Sequence, residues 1–131
     1  MKRYAFTLAA VPGVALAASA SCSGPVAGEL TVSLTTPNTD DGAIKVRVTA
    51  SESKEITGIS VACNGCRLFF EQPSPTELLA VVTGDLAAGP LLRVSVSDTK
   101  APSAYSVQIS QVASRTFQLR STSRYGLTIG P

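Results

Sequence analysis

Apolar and polar residues alternate along most of the chain after residue 28. In segment 43–49, Ile44, Val46 and Val48 alternate with polar residues, which predicts a half-buried antiparallel strand. Similar short segments follow one another between turn-forming residues. They are 29–34, 59–63, 66–71, 77–83, 91–97, 105–112, 116–119 and 126–129. The pattern predicts an all-β fold: a single two-sheet β-sandwich of eight or nine strands.

Two local motifs refine this prediction. Asn64-Gly65 stands between two apolar segments and predicts a β-hairpin, because a type I′ turn requires positive φ at both central residues. Ser74-Pro75-Thr76-Glu77 is similar to a helix-capping box with proline at the first helical position. The segment that follows is short and contains β-branched residues at 81–83. We therefore predict a strand there in preference to a helix.

The N-terminus has the organisation of an export signal. Lys2 and Arg3 precede an apolar segment, 4–18, that is shorter than the roughly 20 residues of a membrane span. We expect residues 1–21 to form a signal peptide. Ala18 and Ala20 fit a general signal-peptidase site, with cleavage after Ala20. A competing cleavage site, directly before Cys22, is implied by the resemblance described next.

Ala20-Ser21-Cys22 resembles a bacterial lipobox, although Ser19 stands where that family prefers a large aliphatic residue. The resemblance implies a lipid on Cys22 and therefore a membrane anchor. Ser23 in the next position implies sorting to the outer membrane. Residues 22–28, which contain Gly24-Pro25, are expected to form a flexible tether, and residues 29–131 are expected to form the sandwich.

The charge distribution excludes several partners. The chain has 131 residues, no His and no Trp, and a net charge of +2 that Lys2 and Arg3 supply. From residue 22 onward the charge is balanced, so no basic stripe is available for nucleic acid and no polybasic patch for anionic lipid. The absence of His and of a nucleophile motif leads us to expect no enzymatic activity and no cofactor.

The three cysteines are the most informative candidates for covalent chemistry. Cys63 and Cys66 are close enough to form a structural disulfide, which an exporting compartment favours. Two alternatives stay open: a redox-active pair, which normally needs a helix N-terminus, and half of a zinc site, which needs two further ligands. Lipidation would account for the remaining Cys22.

Aromatic and acidic residues supply the other candidate contacts. Phe69 and Phe70 are adjacent on a predicted strand, so they point to opposite faces, and we expect one in the core. The other is a candidate contact residue if it is exposed. Asp40-Asp41-Gly42 departs from a calcium-binding loop and is predicted to be a solvated turn, with Ca²⁺ binding near Asp40 as the alternative. No metal site is predicted.

The chain resembles cohesin modules over most of residues 29–129, including segment 56–61 and above all from residue 83 onward. The resemblance is carried by Gly84-Asp85-Leu86, by the alternating segment 91–96, and by 104–112, which begins Ala-Tyr-Ser-Val. It consists of strand spacing and apolar alternation, and it implies a cohesin-like jelly roll or an immunoglobulin-like sandwich with a role in binding or display. The hairpin with its two cysteines is not a cohesin feature.

The sequence therefore leads us to expect an exported, lipid-anchored protein of the bacterial cell envelope. Its sandwich would bind or display, without catalysis, and its partner would be another envelope protein or a glycan. An unanchored periplasmic or secreted module that binds carbohydrate or calcium is the alternative. A thiol–disulfide protein that uses Cys63 and Cys66 is a third hypothesis.

Overall fold

The computed structural model describes residues 24–131. The predicted signal peptide and the lipidation site at Cys22 lie outside the described residues. The described chain forms nine strands and one short 3-10 helix, Pro102–Ala104. The strands are β1 (Gly28–Thr35), β2 (Asp41–Ala50), β3 (Ile56–Val61), β4 (Arg67–Ser74), β5 (Glu77–Leu86), β6 (Gly89–Val96), β7 (Tyr105–Ser114), β8 (Leu119–Arg120) and β9 (Gly126–Gly130).

The strands form two antiparallel sheets packed face to face, which confirms the predicted two-sheet sandwich. One sheet has four strands in the order β3-β6-β1-β9, and the other has five in the order β4-β5-β2-β7-β8. Among the described strands, only β4 with β5 and β7 with β8 are neighbours both in sequence and in a sheet. Every other connection between consecutive described strands crosses from one sheet to the other.

The core follows from the alternation of the central strands. On β2, Ile44, Val46 and Val48 are buried, whereas Lys45 and Arg47 between them are exposed. The four-stranded sheet supplies the opposing layer of the core. Its fully buried residues are Leu30, Val32, Leu91, Leu92, Val94 and Val96. Burial of these aliphatic side chains is the main source of stability, at about 1.5–3 kcal/mol for each.

The predicted hairpin at Asn64-Gly65 is wrong. β3 pairs with β6 and β4 pairs with β5, so the turn carries the chain from one sheet to the other. Gly65 has φ of +72°, but Asn64 has negative φ, and a type I′ turn requires positive φ at both residues. The apolar segments on both sides are real strands that face the same core from opposite layers.

The hairpin that does form lies one turn later. β4 and β5 are joined through Pro75 and Thr76, with Ser74 opposite Glu77. The Ser74 hydroxyl accepts a hydrogen bond from the Thr76 amide at 3.3 Å, so this segment closes a turn and does not cap a helix. The prediction of a strand after it is confirmed. β4 also continues through Pro73, which is tolerated because β4 is an edge strand.

Candidate functional site

The disulfide-closed turn fixes the start of β4. The structure joins Cys63 to Cys66, with their Cα atoms 5.7 Å apart. The turn lies against β5 at Gly84, where an added Cβ would lie 3.3 Å from the Cys66 Cα. Both cysteines pack against the core. The only helix of the described chain is the 3-10 helix after Ala101, so no helix N-terminus is present there to activate a thiol, which favours a structural role.

β4 exposes both of its phenylalanines. Phe69 is 58% exposed and Phe70 is 55% exposed, so the expectation that one of them lies in the core is wrong. Phe70 shares its face with Ala80, which is buried, but it lies at the edge of the sheet. The opposite sheet does not cover it there. The two rings therefore present apolar surface on both sides of one edge strand.

Phe69 belongs to a wider apolar area on the outer face of the five-stranded sheet. It lies opposite Val81 on β5, and at the other side of the sheet Ala43 lies opposite Ala113, which lies opposite Leu119 on β8. Directly opposed residues share a face. We call this area the outer apolar surface, and its members are Ala43, Phe69, Leu79, Val81, Ala113 and Leu119.

Phe117 lies near Ala43 and Ala113 and extends this surface. Neither Phe117 nor Leu119 is predicted as a contact residue from the sequence. Leu119 is 72% exposed and Phe117 is 93% exposed. Phe117 has φ of +66°, a left-handed conformation that is uncommon for a bulky residue. The Phe117 ring is almost entirely in contact with solvent. Exposed apolar patches of this kind mark interaction surfaces on globular proteins.

Charged residues interrupt and border the outer apolar surface. Lys45 lies opposite Val81 within it. Arg47 forms a salt bridge with Glu77, and Arg115 pairs with Asp85 at 3.2 Å between Nε and Oδ1. Lys45 also lies opposite Gln111. These two polar residues separate the apolar residues of β4 and β5 from Ala43, Ala113 and Leu119, so the outer apolar surface consists of two apolar areas with a polar strip between them.

The Asp40-Asp41 segment is part of a polar network and not a free solvated turn. Asp41 is fully buried and accepts hydrogen bonds from the Tyr125 hydroxyl at 2.6 Å and the Thr36 hydroxyl at 2.5 Å. Arg120 Nη2 lies 2.7 Å from Asp40 Oδ2. This hydrogen bond lowers the pKa of Asp40 below its ordinary value and raises the pKa of Arg120.

These contacts bear on the calcium alternative. Asn38 Nδ2 donates to the Tyr125 hydroxyl at 2.7 Å, so the side chains near Asp40 bond to one another. Arg120 also brings positive charge to both aspartates, which disfavours a cation between them. Within residues 24–131, no group of three or more Cys, Asp or Glu side chains is arranged to hold a metal ion.

Part of the predicted tether contacts the sandwich. The Val26 amide donates to Asp98 Oδ1 at 3.3 Å, and its carbonyl accepts from the Thr99 amide at 2.7 Å. Lys100 Nζ donates to the Gly24 carbonyl at 3.1 Å. Asp98 Oδ2 also accepts a hydrogen bond from Lys54 Nζ at 2.9 Å, and this hydrogen bond lowers the pKa of Asp98. The chain therefore meets the body of the protein as early as Gly24.

No helix in the described part of the chain is long and apolar enough to cross a bilayer. No known protein family, no curated protein and no solved structure matches the chain at a significant level. The candidate site is therefore defined by its own geometry.

Proposed function

We propose that this protein is an exported, lipid-anchored component of the bacterial cell envelope, sorted to the outer membrane, whose sandwich is a non-catalytic binding or display module. The outer apolar surface would contact another envelope protein. The observation that carries the proposal is the exposure of Phe69, Phe70, Phe117 and Leu119, whereas most other large apolar residues of the described chain are buried or partly buried.

The anchor is argued from the cysteines and the leader. The chain has three cysteines, and Cys63 is paired with Cys66, which leaves Cys22 for modification. A disulfide is also typical of proteins that mature outside the reducing cytosol. A lipid on Cys22 would hold the sandwich close to the membrane, because Gly24 is already bonded to the body of the protein.

A binding role fits the chemistry of the described residues better than catalysis. The buried carboxylate of Asp41 is held by Tyr125 and Thr36, and that of Asp98 is held by Lys54. Both carboxylates thus have structural partners. The exposed aromatic side chains of the outer apolar surface, in contrast, do not contribute to the core.

The anchor is tested on the native protein by intact mass and by fractionation. We expect a mass that corresponds to cleavage before Cys22, with acyl chains and one disulfide. Cys22→Ala should move the protein from the membrane to the soluble fraction, whereas Ser23→Ala should not. A mass without acyl chains, or unchanged fractionation of Cys22→Ala, would overturn the anchor.

The contact surface is tested in cells with a photo-crosslinking amino acid. We expect crosslinking at position 119, on the outer apolar surface, to join the protein to a discrete envelope protein. Position 60 is a matched control, because Ser60 is exposed on β3 of the other sheet. Equal crosslinking at both positions, or none at position 119, would contradict the assignment of the binding surface.

A further inference from the structure

β4 is an edge strand whose far side has no strand partner in the described chain. It pairs with β5 only, and it stands at the end of the five-stranded sheet. Natural proteins usually protect such edges with charges directed inward, bulges or proline. Here Pro73 and the irregular pairing between Glu71 and Ser74 protect only the C-terminal end of β4. The segment from Arg67 to Glu71 is regular and open.

The sequence of that segment is self-complementary. It reads Arg-Leu-Phe-Phe-Glu from 67 to 71, with opposite charges at its ends and apolar residues between them. In an antiparallel pair of two such segments centred on residue 69, Arg67 of each copy faces Glu71 of the other. Leu68 faces Phe70, and Phe69 faces Phe69.

We propose that this edge binds a second copy of the chain, through antiparallel pairing of β4 with β4 about a two-fold axis at Phe69. Such an interface is isologous, because the same surface is used by both copies. The pairing would cover apolar surface of Phe69 on the outer face and of Phe70 on the inner face. It would also satisfy the open backbone groups of the edge.

Two requirements select the register centred on Phe69: opposed residues must lie on the same face of the sheet, and opposite charges must face each other. A shift of one residue would oppose the outer face of one copy to the inner face of the other. A shift of the centre to residue 68 or 70 would place Glu71 opposite Gly65, or Arg67 opposite Pro73, and both cross-strand ion pairs would be lost. The register centred on Phe69 alone keeps both charge pairs and matches apolar residues with apolar residues.

The dimer has a consequence for the outer apolar surface. Two five-stranded sheets would form one ten-stranded sheet. The two Phe69 residues would meet at the two-fold axis, and Val81 of each copy would lie next to its own Phe69, one strand further from the axis. A strand pair of this length buries less than the about 1,200–2,000 Å² of a stable interface. We therefore expect a weak dimer in solution that is favoured when copies are concentrated. The inference does not depend on the lipid anchor.

The first test is charge reversal at positions 67 and 71 in the full chain carrying Cys22→Ser. Dimerisation is measured by sedimentation equilibrium at concentrations up to ~1 mM, which suit a weak complex. Arg67→Glu and Glu71→Arg should each raise the dissociation constant about tenfold or more, because each opposes like charges at two places. The double variant should restore dimerisation. A monomeric parent chain, or a double variant no better than the single ones, would overturn the proposal.

The second test uses cysteines at positions of equal exposure. Directly opposed residues have Cα atoms about 4.5–5.5 Å apart, within the reach of a disulfide. In the Cys22→Ser chain, Phe69→Cys should therefore crosslink rapidly with itself. Phe70→Cys is the matched control, since the two copies of residue 70 would lie about 8 Å apart, beyond that reach. Crosslinking of Phe70→Cys at the same rate as Phe69→Cys would contradict the register.

Discussion

Removal of the Cys63–Cys66 disulfide should destabilise the protein by a small and calculable amount. The two cysteines are three positions apart, so the closed loop is short. The chain-entropy relation for a loop of this size gives about 1.5–2 kcal/mol at 25 °C. The variant Cys63→Ser/Cys66→Ser should therefore lose about 1.5–2 kcal/mol of unfolding free energy and melt roughly 5–10 °C lower.

The assay is urea denaturation of the parent chain and the variant, with and without a reductant, in the Cys22→Ser background. The reductant should lower the stability of the parent chain to that of the variant and leave the variant unchanged. A loss of unfolding free energy above about 4 kcal/mol would refute the loop-entropy argument. It would mean that the disulfide also stabilises the native connection between the two sheets. No loss would mean that packing of the turn on Gly84 is sufficient without it.

Three further predictions concern the packing and the polar network, each read from denaturant midpoints. Leu92→Ala should cost about 2–5 kcal/mol because Leu92 is fully buried, whereas Leu119→Ala should stay within about 0.5 kcal/mol; similar costs would contradict the described core. Tyr125→Phe should cost about 1–3 kcal/mol, since the buried Asp41 loses a hydrogen-bond donor, and an unchanged midpoint would refute that role. The folded-state pKa of Asp98 lies below its ordinary 3.8, so the stability that it contributes is full above this value and is lost as the pH falls below about 4; Asp98→Asn should flatten that decline, and an equally steep decline would contradict it.

The sandwich could be predicted from the sequence because each central strand has one solvent-exposed face and one buried face. The alternation of Ile44, Val46 and Val48 with charged residues is direct evidence for a half-buried strand, and the structure confirms it. The choice between strand and helix after Pro75 was also correct. β-branched residues lose side-chain freedom in a helix but fit a pleated sheet, so the local preference and the tertiary structure agree there.

The connection at Asn64-Gly65 was not predictable from local pattern. Apolar strands on both sides of a tight turn are compatible with a hairpin and with a crossing between sheets, since in both cases the strands bury residues in the same core. The choice depends on which edges are open to β3 and β4 elsewhere in the chain. β6 and β5 supply those edges, and both follow later in the sequence.

The candidate surface was predicted only in part, for a related reason. Alternation assigns Phe69 and Phe70 to opposite faces, but exposure depends on how far the second sheet extends over the edge. Phe117 carried no recognisable local signal, because its left-handed backbone conformation is set by the turn between β7 and β8. The Asp41 network combines residues from two distant segments, 36–41 and 120–125, and no spacing rule brings Thr36, Arg120 and Tyr125 together.

The position of β1 determines how the protein would respond to mechanical load. β1 is the first strand within residues 24–131, yet it is flanked by β6 on one side and by β9 on the other. A force applied along the residues before Gly28 would load the hydrogen bonds of β1 to β6 and to β9 in shear at the same time. These bonds would therefore not break one after another, as they would for a strand at the edge of a sheet. If the proposed anchor at Cys22 is correct, this arrangement would help the sandwich resist tension applied at its N-terminal end.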